Sequence, residues 1–416
     1  MRPPGDKSIT HRALVLGALA EGRSELTGAL TSLDARSMAR VLRQLGVRIS
    51  ALRPGTRVVV QGRGLRGLRR PATTLDCGNS GTSARFLLGT LAGFPFPARI
   101  TGDASLRARP MRRVTTPLTQ MGARFEEING DGLPLVVHGG PLRPLNYQLP
   151  VAAAQVKSAL LLAGLTGGVA VALSEPAQSR DHTERMLQAL GARVARSGLA
   201  VSLEPPARLP AFDLPVPGDI SSAAFLIGAA LLGRGGELVV RDVGVNPTRT
   251  GALRVLERMG AAIEVREPRD VLGEPVADLA VRPSVLSGCT VEPDEVPSLI
   301  DEIPMLAVLA SRAEGESVFR GVQELRVKES DRLTLIAKNL RAVGVQAEAS
   351  GDTLTVVGTD QPPRGAVDTA RDHRLAMAFA VLGAMAGGSV RLSERASVAV
   401  SYPGFFDDLK RVRAGV

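Results

Sequence analysis

Several short stretches of the 416-residue sequence place cations, small polar residues and glycine where an apolar segment is about to begin. "PGDKSITHRA" carries Lys7, Ser8 and Arg12, and "DCGNSGTSAR" is a glycine-rich turn leading into a helix, with Gly81 at its start and Arg85 one turn inside. "LRARPM" sets Arg109 before a proline, and "AAAQVKSALLLAGL" puts Gln155 and Lys157 at the head of an otherwise apolar helix. "SRDHTERM" contributes Arg180; taken alone it reads as an exposed, acidic-capped helix start. Later, "PSLIDEIPMLAVLA" interrupts an apolar run with Asp301 and Glu302, either caps or functional acids. "ELRVKESDRL" spaces Lys328 and Arg332 four apart, so that they share a helix face with Glu329 beside them. "DTARDHRLAMAFAV" places Asp372, His373 and Arg374 directly before a buried helix.

Each stretch alone has a plain structural account as a cap or a solvated side chain. Together they mark helix starts at Lys7, Gly81, Gln155, Arg180 and Arg374 with cations or anion-binding turns. Backbone N–H groups and the helix dipole favour anions at such starts. Asp301 and Glu329 would add acid–base groups. The expected ligand is small and carries several negative charges. No His/Cys/Asp cluster has metal-ligand spacing, so neither a metal nor a cofactor is called for.

The elements that must hold these residues are repetitive. An apolar residue or Ala, then Gly, then Ala or Val recurs at Gly46, Gly122, Gly191, Gly260, Gly344 and Gly415, with spacings of 76, 69, 69, 84 and 71 residues. Each glycine follows an amphipathic run, as a helix C-cap should, and a β-like run follows all but the last. The sequence therefore predicts six units of mixed helix and strand. "PGDISSAAFL" at Pro217 repeats the opening of "PGDKSITHRA", with Ile220 and Phe225 where the first copy has Lys7 and Arg12. Between them, the proline-rich "EPPARLPAFDLPVPGD" (204–219) is the best candidate for a crossing between two domains of three units each. The last unit ends at its Gly without a strand, so its domain calls for one from elsewhere, most naturally the N-terminus. Only Met1 to Pro3 precede the first motif, so either the true start lies upstream or the edge is shortened.

Composition narrows the function. The net charge is +10, but lysine occurs only at positions 7, 157, 328, 338 and 410, and arginine is scattered without basic blocks. With no Trp and two Tyr the chain lacks the stacking platforms of single-strand binders, so no nucleic-acid partner is expected. The longest apolar runs fall short of the ~18 residues of a membrane span, and no signal peptide is visible. Two cysteines cannot form a disulfide framework in a chain of this size, which suits a reducing cytoplasm.

In this order, "PGDKSITHRAL", "GNSGTSAR", "RPM", "QVKSALLLAGL", "SRDHTERML", "PGDISSAAF", "LRVKESDR", "DHRLAMA" and "SYPGFF" closely resemble the 5-enolpyruvylshikimate-3-phosphate (EPSP) synthase family from Pro4 to Phe406. The resemblance implies an α/β (α+β) fold of two similar domains, each three βαβαββ-type repeats around buried parallel helices, an inside-out α/β barrel. Residues 6–216 would form one domain and 1–5 with 217–416 the other, with the active site in the cleft between them. It implies transfer of the enolpyruvyl group of phosphoenolpyruvate to the 5-hydroxyl of shikimate 3-phosphate by a cytoplasmic monomer. By position, Lys7, Ser8, Arg12, Gln155, Arg180, Asp301 and Lys328 match the family's shikimate-phosphate contacts. Lys7, Gly81, Arg109, Arg332 and Arg374 match its phosphoenolpyruvate contacts, with Arg85 close by. Asp301 is the expected proton acceptor and Glu329 the candidate proton donor, with Lys7 and His373 as assistants. Ala153 and Ala154 depart from the pattern, since the family usually has at least one Ser immediately before the Gln. A late Lys of some members is also replaced here, by Val400 and Ser401.

Overall fold

The computed structural model describes residues 1–385 and 387–415. The chain divides into two compact units. The first comprises Gly5–Pro217 with Asp270–Glu274; the second comprises Met1–Pro4, Gly218–Arg269 and Pro275–Val416. Each unit has its own apolar core.

The first unit holds helices α1 (Lys7–Leu19), α2 (Leu33–Gln44), α3 (Gly81–Ala92), α4 (Ala104–Arg107), α5 (Arg112–Gln120), α6 (Ala154–Gly167) and α7 (His182–Ala189). The second holds α8 (Ile220–Leu231), α9 (Gly251–Arg258), α10 (Ile303–Ala310), α11 (Arg332–Ala342), α12 (His373–Ala384) and α13 (Phe405–Gly415). Two kinds of helix alternate. The sequences of α3, α6, α8 and α10 are apolar almost all round and are buried on nearly every face, whereas α2, α5, α7 and α9 bury one stripe and wet the other. The wetted helices end as the glycine pattern predicts. Gly46, Gly122, Gly191, Gly260 and Gly344 follow α2, α5, α7, α9 and α11 with φ between 83° and 109°. An L-residue is strained in that left-handed region, so glycine is what lets the chain turn into the next strand. Gly415 closes α13.

In the first unit, three four-stranded sheets share one plan. A parallel pair flanks each buried helix, and an antiparallel hairpin follows: 75–76 with 97–101, then 135–138 and 124–127; 145–148 with 171–174, then 200–204 and 193–197. In the remaining sheet the parallel partner of 23–27 is Asp213–Pro215, with Glu25 opposite Asp213. The proline-rich crossing thus supplies a strand to the first unit before the chain leaves it.

The chain start makes the reciprocal move. Met1 donates its terminal amine to Val239 O, and Arg241 N donates to Met1 O at 2.7 Å, so these residues lie along Leu238–Gly244 in the fourth repeat. The N-terminus thus joins the second unit, but along the fourth repeat and not the final one, whose sheet is 364–367 paired with 389–392 alone among the described residues. The reason is an exchange. The segment ahead of α1 serves the second unit, and the segment ahead of α8 serves the first. Asp6 N donates to Pro217 O at 2.7 Å and Asp219 N to Pro4 O at 2.8 Å, which closes both crossings. The six sheets are separate, and among the described residues none closes into a barrel.

One further segment trades places. The long hairpin 262–271/274–282 belongs to the second unit, but its tip, Asp270–Glu274, belongs to the first. There Glu274 accepts from His182 Nδ1 at 2.8 Å, both groups being buried, and Arg185 donates to Gly273 O at 3.1 Å.

Candidate active site

In the first unit the starts of α1, α3 and α6 come together. Ser80 caps α3 by accepting from Ser83 N at 3.1 Å. His11, one turn into α1, faces Lys7 O through Nδ1 at 2.7 Å and Ser80 Oγ through Nε2 at 3.2 Å. A carbonyl only accepts, so Nδ1 carries the proton and Nε2 accepts the Ser80 hydroxyl. Burial pushes the His11 pKa down to about 4, in keeping with this neutral ring. Gln155, at the start of α6, donates to Thr82 Oγ1 at 2.9 Å and accepts from Arg85 at 2.7 Å.

Three guanidiniums border this junction. A side-chain carbon on Gly81 would lie 2.8 Å from Arg85 Nη1 and 3.3 Å from Arg109 Nη1, so the first residue of α3 faces two cations at contact distance. Arg109 is steadied by Asn79 Oδ1 at 3.0 Å. Arg12 is 4% exposed and is braced by Ser8 O, Thr183 Oγ1 and Ser158 Oγ at 2.7–3.0 Å. Burial lowers its pKa to about 10, with the Glu184 carboxylate opposing that fall, so it stays charged at neutral pH. These three bonds use three of its five N–H donors. Lys7 reaches Asp34 at 2.5 Å, and the charge of Arg180 acts on Arg12. The unit therefore gathers Lys7, Ser8, Arg12, Gly81, Arg85, Arg109, Gln155 and Arg180 at one end of its buried helices.

"SRDHTERM" departs from its simplest account. Asp181, His182, Thr183 and Glu184 are each 1% exposed, a buried junction rather than a solvated helix start.

The second unit builds a different arrangement around Asp301, which lies just ahead of α10. Lys328 Nζ and Arg332 Nη1 stand 3.6 Å from its Oδ1; Arg374 Nη2 and Arg249 Nη1 stand 3.8 and 3.9 Å from its Oδ2. At such distances each pair is worth roughly 4 kcal/mol at an effective dielectric of about 20. Four cations thus surround one carboxylate. Asp301 is not a cap, since Glu302 holds the N-cap position of α10.

Arg332 is fully buried. It donates to Asp372 at 2.7 and 3.2 Å and to Glu329 at 2.6 Å, while its Nη1 end turns to Asp301. Burial alone would weaken its charge, but Asp372, Glu329 and Asp301 outweigh that and hold the guanidinium above its ordinary pKa. Burial likewise works against the Asp372 carboxylate, and Arg332 overrides it and pulls its pKa down. Asp372 also caps α12 through Arg374 N at 2.9 Å, which sets His373 and Arg374 at the helix start, and Arg374 donates to Asp301 O at 2.9 Å.

Two sequence expectations change here. Lys328 and Arg332 do not share a helix, because Lys328 ends the 3-10 turn Gln323–Val327 and Asp331 caps a new helix at Arg332. Their spacing instead aims both at Asp301. Arg249 was not anticipated. It is 3% exposed, donates to Ser221 Oγ at 2.6 Å and sits 3.8 Å from Glu302. Its signal was present in "NPTRTG", where Asn246 accepts from Thr248 N and forms a turn ahead of the arginine. Asp34, the partner of Lys7, gave no signal beyond an acid in a helix first turn.

Comparison with known proteins agrees with this architecture. Residues 1–409 match the model of the EPSP synthase (3-phosphoshikimate 1-carboxyvinyltransferase) family. The chain is 50% identical over 416 residues to the 3-phosphoshikimate 1-carboxyvinyltransferase of Halorhodospira halophila, covering 100% of this chain and 94% of that one. It is likewise 50% identical over 420 residues to that of a Synechocystis species, again covering 100% and 94%. A solved EPSP synthase from Acinetobacter baumannii superposes with a TM-score of 0.89 at 40% identity, over 99% of this chain and 95% of that one. The enolpyruvyl transferase NikO from Streptomyces tendae shares the fold, with a TM-score of 0.78 at 17% identity over 99% and 94%.

Proposed function

The chain belongs to the EPSP synthase family and transfers the enolpyruvyl group of phosphoenolpyruvate to shikimate 3-phosphate, releasing phosphate; we propose that its two polar clusters divide that reaction between them. The first unit's cations take up most of the anionic charge: Lys7, Ser8, Arg12, Gln155 and Arg180 toward shikimate 3-phosphate, Lys7, Gly81 and Arg109 toward phosphoenolpyruvate, with Arg85 supporting. The second unit supplies Lys328 to the first substrate, Arg332 and Arg374 to the second, and the acid–base groups. His373 assists at the start of α12.

The chemistry sets what those groups must do. The 5-hydroxyl oxygen bonds to C2 of the enol phosphate and loses its proton, while C3 gains one. To restore the double bond, C3 then loses a proton as the C2–O bond to phosphate breaks. Asp301 takes the hydroxyl proton. Glu329, held by Arg332 at 2.6 Å, exchanges the proton at C3. Both substrates bear a carboxylate and a phosphate, and a guanidinium fork bonds two such oxygens at once.

The observation that carries this reading is the ring of Lys328, Arg332, Arg374 and Arg249 around Asp301. Both thiols are free, Cys77 being buried and Cys289 half-buried, which supports a reducing, cytoplasmic setting. No described helix is long and apolar enough to cross a membrane. We take the working form to be a monomer without a nucleic-acid partner. The test is phosphate release by the whole chain. It should require both substrates and collapse in Lys7→Met; release that needs only one substrate, or survives that change, would reject the reading.

A further inference from the structure

Lys157 is out of place by ordinary rules. It lies in the first turn of α6, where a cation opposes the helix dipole, and it is 3% exposed. Its Nζ is 2.7 Å from Glu175 Oε2 and 2.7 Å from Glu184 Oε1, and these carboxylates are 7% and 1% exposed. One buried ammonium between two buried carboxylates leaves a net negative charge. Such a group is costly to desolvate, and three apolar side chains of the same volume would often pack there as stably. Arginine is the usual cation of this chain, yet lysine is used here.

What the trio joins explains its cost. Lys157 stands two residues beyond Gln155. Glu175 accepts from the hydroxyl of Ser179, the residue before Arg180. Glu184 follows Thr183, which accepts from Arg12 Nε at 2.7 Å and donates to Ser158 Oγ at 2.7 Å. Gln155, Arg180 and Arg12 therefore hang from three different segments, and the ammonium fastens all three. The N-cap of α6 is Ala153, which makes no side-chain capping bond, so Lys157 is the charged side chain that ties this helix start to the 175–180 segment and α7.

We propose that Lys157 is a positioning residue for the shikimate 3-phosphate side of the site, holding the start of α6, the 175–180 segment and α7 in one register so that Gln155, Arg180 and Arg12 converge on that substrate. The inference rests on the substrate assignment above. The lysine touches no substrate.

The experiment compares whole-chain Lys157→Met, which keeps length and loses charge, with Lys157→Arg, which keeps charge. In Lys157→Met the KM for shikimate 3-phosphate should rise about tenfold to a hundredfold, the size of one misplaced charge-assisted hydrogen bond. The KM for phosphoenolpyruvate should stay within about twofold and kcat within about threefold, and Lys157→Arg should recover most of the loss. Equal changes in both KM values, or no change in either, would overturn the proposal. If Lys157→Met does not fold, Ser179→Ala decides. It cuts the tie ahead of Arg180 without stranding the ammonium, and a rise confined to shikimate 3-phosphate supports the proposal, while its absence rejects it. Failure of the substrate assignment would appear separately, as wild-type protein that neither binds shikimate 3-phosphate by calorimetry nor releases phosphate.

Discussion

The two "PGD" helices, α1 and α8, are built on the same backbone device and put to different use. In both, the Asp caps the helix: Asp6 accepts from Ile9 N at 2.8 Å, and Asp219 accepts from Ser221 N at 2.7 Å. In both, the glycine is packed too closely for a side chain, with Gly28 O 2.0 Å from where a Gly5 Cβ would sit and Pro3 Cγ 2.7 Å from a Gly218 Cβ. The side chains then diverge. In α1, Lys7, His11 and Arg12 join a polar network, and Arg12 also lies over the Phe86 ring at 4.9 Å. In α8, the matching Ile220, Ala224 and Phe225 are buried, with Phe225 edge-on to Phe405 at 6.0 Å. The second unit draws its cation from elsewhere, as Arg249 reaches Ser221, the counterpart of Ser8. The cap and the close-packed glycine are common to both; the three inner positions decide whether the helix joins a polar, cationic network or packs.

That contrast can be broken or sharpened. The largest effect belongs to the second unit's carboxylate. Asp301→Asn should lower kcat by roughly 10²–10⁴-fold with both KM values little changed, and a loss smaller than about tenfold would move the base elsewhere. Next, Phe225→Ala should cost about 3–5 kcal/mol in denaturant unfolding through the cavity it leaves, without altering either KM. Arg12→Met should raise the KM for shikimate 3-phosphate, and if Phe225→Ala weakens substrate binding the division fails.

A third effect is confined to the first helix. The unfolded chain protonates His11 near pH 6.5, whereas the folded ring resists until about pH 4. Between those values the unfolded state binds more protons, so stability falls as pH falls, by roughly 3 kcal/mol in all, and levels off below. His11→Gln should remove this part of the acid slope; an identical slope in wild type and variant would show that the ring is not the sensor. The smallest effect is at Gly81. Gly81→Ala should raise the KM for phosphoenolpyruvate about tenfold by displacing Arg85 and Arg109, and change that for shikimate 3-phosphate less, through the Arg85–Gln155 bond. We expect glyphosate to compete with phosphoenolpyruvate at micromolar levels in the wild type and to be weakened by the same change; indifference at millimolar inhibitor would reject that.

Much of this was legible because the residues concerned have few other uses. A glycine after an amphipathic run suggests a helix end, and six such glycines revealed the repeat, five of them in the left-handed region. Helix-start motifs such as "GNSGTSAR" and "DHRLAMA" name their own caps. The strands that 213–215 and the chain start pair with were not legible, because both segments are short and their partners are distant in sequence. The facing of Lys328 and Arg332 was misread because Asp331 restarts the helix between them. The polar brace around Arg12 depends on Ser158 and Thr183, whose types announce nothing until the fold brings them together.

The hairpin tip at 270–274 has a practical outcome for anyone dissecting the gene. A fragment stopping at Pro217 would contain every helix of the first unit yet lack Glu274, so His182 would face a hole in the interior. Two cuts cannot liberate that half intact. Co-expressed pieces severed at 217 should depend on each other for solubility, like two hands sharing one glove.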